Sequence, residues 1–172
     1  VHESAAALEA GRRAARAPLV LRMDADDLAL PTRLARSRAL MDEDPRVAVV
    51  SCLVRSFPDD EVREGRRRYD TWLNALVLHE DMARERFVES PVAHPSVLFR
   101  ADAVAAVGGY RDAGGPEDYD LWLRLFAAGH RFAKVPEVLL RWREGPARAS
   151  RRDARYGPGG MARVRALALR EH

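Results

Sequence analysis

The run "RVAVVSCLV", Arg46 to Val54, constrains the fold more than any other stretch. It is apolar and rich in β-branched residues, without the polar alternation of a strand that has one wet face. Such a run predicts a central strand covered on both faces, which places the chain in the α/β class. Cys52, the one cysteine, lies inside it. It has no partner for an internal disulfide and reads as a buried structural thiol.

The flanking segments alternate in the same sense. "SAAALEAGRRAARA", Ser4 to Ala17, predicts a helix capped by Ser4 and closed by Pro18. "LVLRM" predicts a short strand, and Pro31 suits the first turn of the helix "PTRLARSRALMDED", with Leu34 and Leu40 apolar. "PDDEVREGRRR" reads as loop, followed by one amphipathic helix over "YDTWLNALVLHEDMARERFVE". An excursion of that kind between strands covers a site or a partner. "HPSVLFR" predicts a strand, "ADAVAAV" a helix stopped by Gly108 and Gly109, and "EDYDLWLRLFAAG" a helix stopped by Gly129. "RFAKV" and "EVLLRWR" predict two further strands, and "MARVRALALREH" a basic helix of modest amphipathicity.

Composition narrows the function. The 172 residues suit one domain, with 47% hydrophobic and 32% charged residues as in a soluble globular protein. No apolar run approaches the roughly 18 residues of a membrane span. Net charge is +3, and the arginines are spread along the chain without interleaved aromatics, so no nucleic-acid partner is expected. The chain starts at Val1, without a methionine and inside a helical pattern, so Val1 reads as a cut point.

Two acidic clusters carry the chemistry. Asp24, Asp26 and Asp27 crowd the end of a short strand, the edge where ligands collect in open α/β sheets. In extended backbone alternate side chains point the same way, so Asp24 and Asp26 can converge on one hard cation. Mg²⁺ or Mn²⁺ held by one or two carboxylates leaves coordination positions for water and phosphate oxygens, which describes a diphosphate site. The alternative is that Asp27 caps the next helix and the others are solvated turn residues. In the second cluster Glu117, Asp118 and Asp120 open a helix, where the dipole favours acidic residues in any case. Like charges beside Tyr119 and Trp122 can raise a carboxyl pKa toward that of a general base, with Asp118 and Asp120 both open for the role.

Taken in order, "LRMDADDLALPTRL", "AHPSVLFRADAVAAVGGYRD", "PEDYDLWLRL" and "VPEVLLRWRE" resemble family 2 glycosyltransferases. The resemblance implies a GT-A fold, the Rossmann-like nucleotide-diphospho-sugar transferase architecture, with a central mixed sheet flanked by helices. Its first βαβ part, roughly 70–90 residues, is expected to be missing here. Residues 1–145 then form the C-terminal two-thirds of the catalytic domain, and residues 146–172 a basic C-terminal extension with a helix. By resemblance, Asp24 and Asp26 bind the divalent metal and the donor diphosphate, with Asp27 beside them. Asp118 is the catalytic base and Glu117 its partner. Gly108, Gly109 and Tyr110 shape the pocket for donor sugar and acceptor. Arg141 and Arg143, with Ser150 beyond, belong to the basic segment over the diphosphate, and His94 packs or hydrogen-bonds near the substrate.

The implied reaction is inverting transfer from a UDP-, GDP- or dTDP-sugar to a glycan, lipid-linked or protein acceptor. It implies a cytoplasmic protein, with peripheral contact at the inner membrane face as an option. A sugar-phosphate nucleotidyltransferase and a non-catalytic interaction domain anchored by the basic helix remain the alternatives.

Overall fold

The strands are β1 (Leu19–Leu21), β2 (Leu28–Ala29), β3 (Val47–Phe57), β4 (Leu98–Arg100) and β5 (Arg131–Arg143), in the sheet order β1-β4-β3-β5-β2. The structure, a computed structural model, describes residues 5–145 and 153–171. The expected cap Ser4 and the basic-segment residue Ser150 lie outside them. The apolar run forms β3, the middle strand, parallel to β5 and antiparallel to β4. The sheet is therefore mixed and central, as expected. Val49, Val50 and Val54 are sealed from solvent, and Cys52 is a buried free thiol.

By proximity the chain divides into two compact units. One comprises Leu21–Phe99 and Arg131–Gly145; the other comprises Val1–Val20, Arg100–His130 and Pro146–His172.

In the first unit, α2 (Arg33–Glu43), α3 (Glu64–Ala75) and α4 (His79–Glu85) accompany the β3–β5 ladder. Several expectations change here. The segment expected as one helix from Tyr69 is two, because Leu78 is extended. The first of them starts earlier, at Glu64, inside the expected loop. "RFAKV" and "EVLLRWR" join into the single strand β5, whose register shifts between Cys52 and Leu53 of the partner. That shift leaves Pro136 and Glu137 out of register with β3 and exposed, which suits a residue with no N–H to give the ladder. His94–Ser96 form a 3₁₀ turn rather than strand, and Pro31 precedes the N-cap Thr32 instead of entering α2.

β4 pairs with β3 at Val49 and Val50. Further along, α3 supplies side chains to the strand. Asn74 takes Val54 N–H at 2.9 Å and donates to Val54 C=O at 2.8 Å, while Asp70 accepts from Ser56 N–H at 3.0 Å. Buried backbone groups thereby gain partners without another strand.

Lys134 of β5 is buried, and its amine donates to Leu73 C=O at 2.6 Å and Pro91 C=O at 3.1 Å. Burial pulls its pKa down to about 7, against a small opposing effect of Cys52. A neutral amine keeps the two N–H groups these carbonyls need. With a lowered folded pKa, the unfolded chain binds more protons above about pH 7. Stability should therefore rise by about 1–2 kcal/mol between pH 7 and 8.5. Above that range the buried Cys52 thiol, whose pKa is pushed up by burial, opposes the gain. Urea unfolding of wild type and Lys134→Met across this range checks it: the rise should vanish in the variant.

In the second unit, α1 (Ala5–Ala14), α5 (Ala101–Ala106), α6 (Glu117–Ala127) and α7 (Pro158–Glu171) are the helices. α6 is the core, with Tyr119, Leu121, Trp122 and Leu125 sealed from solvent. α7 packs against it and buries Met161, Val164 and Ala168, one stripe at helical spacing. The stripe that an anchoring helix would offer to a membrane or partner is therefore already covered. At Gly115 an added Cβ would fall 2.4 Å from Gly160 C=O, so the loop before α6 meets the start of α7 backbone to backbone. Among the described residues no helix is long and apolar enough to cross a membrane.

Candidate functional site

The first acidic cluster is a turn held from several directions within the first unit. Arg22 N–H donates to Val97 C=O at 2.9 Å, which extends the strand direction up to the cluster. Asp27 N–H then closes a turn on Asp24 C=O at 3.3 Å. The chain returns as β2, pairing Leu28 with Arg141 and Ala29 with Leu140. This two-residue strand, not foreseen from sequence, sets Arg141 and Arg143 beside the turn. Asp27 is buried, and its Oδ1 accepts from Arg143 N–H at 2.7 Å. It does not cap α2, whose N-cap Thr32 makes no side-chain capping bond. Arg143 Nε donates to Asp26 C=O at 2.7 Å, so Asp26 enters these contacts through its backbone and its side chain stays exposed. Asp24 is half-buried and paired with Arg22.

Behind the turn stands Arg33, only 1% exposed. Its Nη2 donates to Arg22 C=O at 2.7 Å and Pro95 C=O at 2.6 Å, locking the strand that leads into the turn. Arg141 and Arg143 both lie over the Phe57 ring, at 5.0 and 4.5 Å. His94 is buried, and desolvation, with the nearby Arg22 charge, lowers its pKa well below the usual value. The imidazole is neutral, which suits a packing or hydrogen-bonding role.

The donor set suits a hard cation. Asp24 and Asp26 offer carboxylate oxygens on one tight turn, and Mg²⁺ or Mn²⁺ completes its shell with water and phosphate oxygens. Among the described residues no three or more His, Cys, Asp or Glu side chains gather as a metal cage. Closed structural-zinc coordination, which needs four ligands, is not the arrangement built here.

The second acidic cluster forms the first turn of α6, in the second unit. Its members have different surroundings. Asp120 is buried between two guanidinium groups: Arg111 at 2.9 Å and Arg124 at 2.7 Å. Arg124 also donates to Val107 C=O, and to Gly109 C=O at 2.7 Å, so it ties the Gly108–Gly109 turn to the helix. Removing the carboxylate leaves the buried Arg124 guanidinium without its counter-charge, while Arg111 keeps Glu171. Asp120→Ala should therefore cost about 3–5 kcal/mol of stability, measured by urea unfolding. Glu117 is buried, and both its oxygens accept from the Tyr156 hydroxyl, at 3.1 and 2.9 Å. Asp118 between them is half-buried.

Gly108 and Gly109 have φ of 88° and 70°, the left-handed region that stops α5. An added Cβ on Gly109 would fall 2.2 Å from the Glu9 carboxylate, whose Oε2 accepts from Tyr110 N–H at 3.0 Å. Arg12, ahead of Arg13, holds the Glu9 pKa down at about 2. A groove of about 480 Å³ runs between α1 and Tyr110–Asp112.

Sequence reading passed over several of these residues. Arg124 had a local signal, four residues after Asp120 on one helix. Glu9 had the same kind of signal toward Arg12 and Arg13, but not toward Tyr110; Tyr156 and Arg33 had none, because their partners are distant in sequence.

Comparison with known proteins identifies the family and the fold. The family described as "Glycosyl transferase family group 2" matches residues 19–170. The amylovoran biosynthesis glycosyltransferase AmsE of Erwinia amylovora is 32% identical over 146 residues, covering 85% of this chain and 52% of AmsE. The UDP-Gal:alpha-D-GlcNAc-diphosphoundecaprenol beta-1,3-galactosyltransferase of Escherichia coli is 29% identical over 147 residues, covering 86% of this chain and 51% of that protein. The chain thus spans about half the length of the curated relatives it matches. Among solved structures, the mannosyltransferase PcManGT of Pyrobaculum calidifontis, in complex with GDP-Man and Mn²⁺, superposes with a TM-score of 0.65 at 23% identity. The match covers 99% of this chain and 44% of that one. S. aureus TarS 1–349 with UDP-GlcNAc gives 0.68 at 14% identity, over 95% and 45%. The fold is that of these GT-A proteins, as the resemblance implied. The chain belongs to glycosyl transferase family group 2.

Proposed function

We propose that the full-length protein is an inverting, metal-dependent glycosyltransferase, moving a sugar from a nucleotide-sugar donor to an acceptor hydroxyl in polysaccharide or glycoconjugate synthesis. The observation that carries this reading is the Asp24–Asp27 turn. It is held through Asp27, the Asp26 carbonyl and the strand behind it, while the Asp26 carboxylate stays exposed. Asp24 and Asp26 are the proposed holders of Mg²⁺ or Mn²⁺. The bound cation neutralises the donor diphosphate and improves it as a leaving group. Arg141 and Arg143 add positive charge beside the same turn.

Asp118 is the proposed base. Both oxygens of Asp120 are occupied by guanidinium groups, and Glu117 is engaged by Tyr156. Asp118 takes the proton from the acceptor hydroxyl, whose oxygen attacks the anomeric carbon as the bond to the diphosphate breaks on the opposite side. Gly108, Gly109 and Tyr110 shape the sugar pocket. The donor is a UDP-, GDP- or dTDP-sugar, in keeping with the nucleotides bound by the structural neighbours. The acceptor is a glycan, lipid-linked or protein hydroxyl; the E. coli relative's name specifies a lipid-linked one. The site of action is the cytoplasm, at the inner membrane face where the acceptor is lipid-linked.

Product stereochemistry tests the mechanism. An α-linked nucleotide sugar should give a β-linked product, read from the anomeric proton coupling. Retention of configuration would remove both the inverting assignment and the role of Asp118.

A further inference from the structure

The described C-terminal residues 153–171 hold the first turn of α6 at three places. The Tyr156 hydroxyl donates to Glu117 Oε2 at 2.9 Å and Oε1 at 3.1 Å. Arg165 Nε donates to the Tyr119 hydroxyl at 3.2 Å. Arg111, which chelates Asp120, also donates to Glu171 Oε2 at 2.7 Å. The backbone beneath is tight: a Cβ on Gly160 would lie 1.7 Å from Arg155 C=O, and one on Gly115 would strike Gly160. Residues 117, 119 and 120 are thus tied to this segment, and Asp118 is the position they frame.

We propose that Tyr156 is a positioning residue for the reaction: by fixing the Glu117 carboxylate, it sets where Asp118, next in the same helical turn, presents its own. This rests on the glycosyltransfer reading above. The bond is charge-assisted and reaches both carboxylate oxygens, so it restrains Glu117 in orientation as well as distance. Burial, with the charges of Glu117 and Asp118, raises the phenol pKa above its usual value, so the hydroxyl remains a donor at neutral pH. A base must sit within hydrogen-bond reach of the proton it removes, which gives small displacements of this turn a direct effect on rate.

The test uses full-length protein with a nucleotide sugar, Mn²⁺ and acceptor. Tyr156→Phe keeps the ring and removes the hydroxyl. It should lower kcat roughly 10- to 100-fold, as displacement of a catalytic group by about 1 Å does. The donor KM should stay within about twofold of wild type, because the substituted contact does not bind donor. The unfolding midpoint should fall by no more than about 10 °C, the loss of one buried hydrogen bond, leaving the protein folded at the assay temperature. Glu117→Ala, which removes both acceptor oxygens, combined with Tyr156→Phe should be no slower than Glu117→Ala alone, since both act through one bond.

A wild-type kcat in Tyr156→Phe overturns the proposal. So do losses that multiply in the double variant, or a kcat loss accompanied by an equal loss of folded protein. A wild type that releases no nucleoside diphosphate from any donor overturns the glycosyltransfer reading, and the role of Tyr156 with it. An active wild type with an equally active Tyr156→Phe removes the role of Tyr156 alone.

Discussion

Asn in place of Asp118 in the full-length protein should lower kcat roughly 10²- to 10⁴-fold, the range over which a positioned general base contributes. The amide is nearly isosteric with the carboxylate and cannot accept the acceptor's proton. Asp118 is half-buried at the start of α6, so the change spares the sealed residues Tyr119, Leu121 and Trp122 that hold the helix. Donor KM should change little, because the lost interaction belongs to the transition state rather than to donor binding. Steady-state rates with saturating donor check this. By contrast, Asp120→Ala should lose activity together with folded protein, since its carboxylate holds two arginines. A fully active, folded Asp118→Asn would transfer the base role elsewhere.

Asn in place of Asp26 should weaken Mn²⁺ binding by roughly 100-fold or more, because removing even a hydrogen-bond partner of a metal ligand typically costs about 10–100-fold. Transfer should fall in parallel and recover only in part at high Mn²⁺. Asp26 is the cleaner of the two ligand positions to change. Its side chain is exposed, and its carbonyl contact with Arg143 survives the substitution. Asp24→Asn should also lose metal, but it removes the negative charge facing Arg22, whose side chain is only 11% exposed, and so also lowers stability. Titration calorimetry with Mn²⁺ alone, read beside thermal unfolding, separates the two effects. Unchanged Mn²⁺ affinity in Asp26→Asn would place the cation on other residues.

What could be read from the sequence was whatever neighbouring residues decide. The run 46–54 became β3 because uninterrupted apolar character suits a strand covered on both faces. The helix from Glu117 ends where Gly129 supplies a φ of 80°. The two acidic clusters were visible because each lies within one turn of chain. Long-range pairing decided the rest. The Asp24–Asp27 turn depends on Arg143, 116 residues away from Asp27, so neither β2 nor the role of Asp27 followed from "DADD" alone. "RFAKV" and "EVLLRWR" looked separate because Pro136 breaks local strand character. The parallel ladder with β3 absorbs it through a register shift. α3 and α4 shared one helical pattern, but Leu76–Leu78 leave it, and α3 turns Asp70 and Asn74 to the backbone of β3. Tyr156 stood in a polar, glycine-rich tail with no sign of Glu117, 39 residues away.

The most direct test of the central claim is nucleoside diphosphate release by the full-length protein, supplied in turn with UDP-, GDP- and dTDP-sugars, with Mn²⁺ or with a chelator. Release from one donor class is expected, dependent on the metal and lost in both Asp26→Asn and Asp118→Asn. Release that survives the chelator and both substitutions, or no release from any donor, would contradict the account.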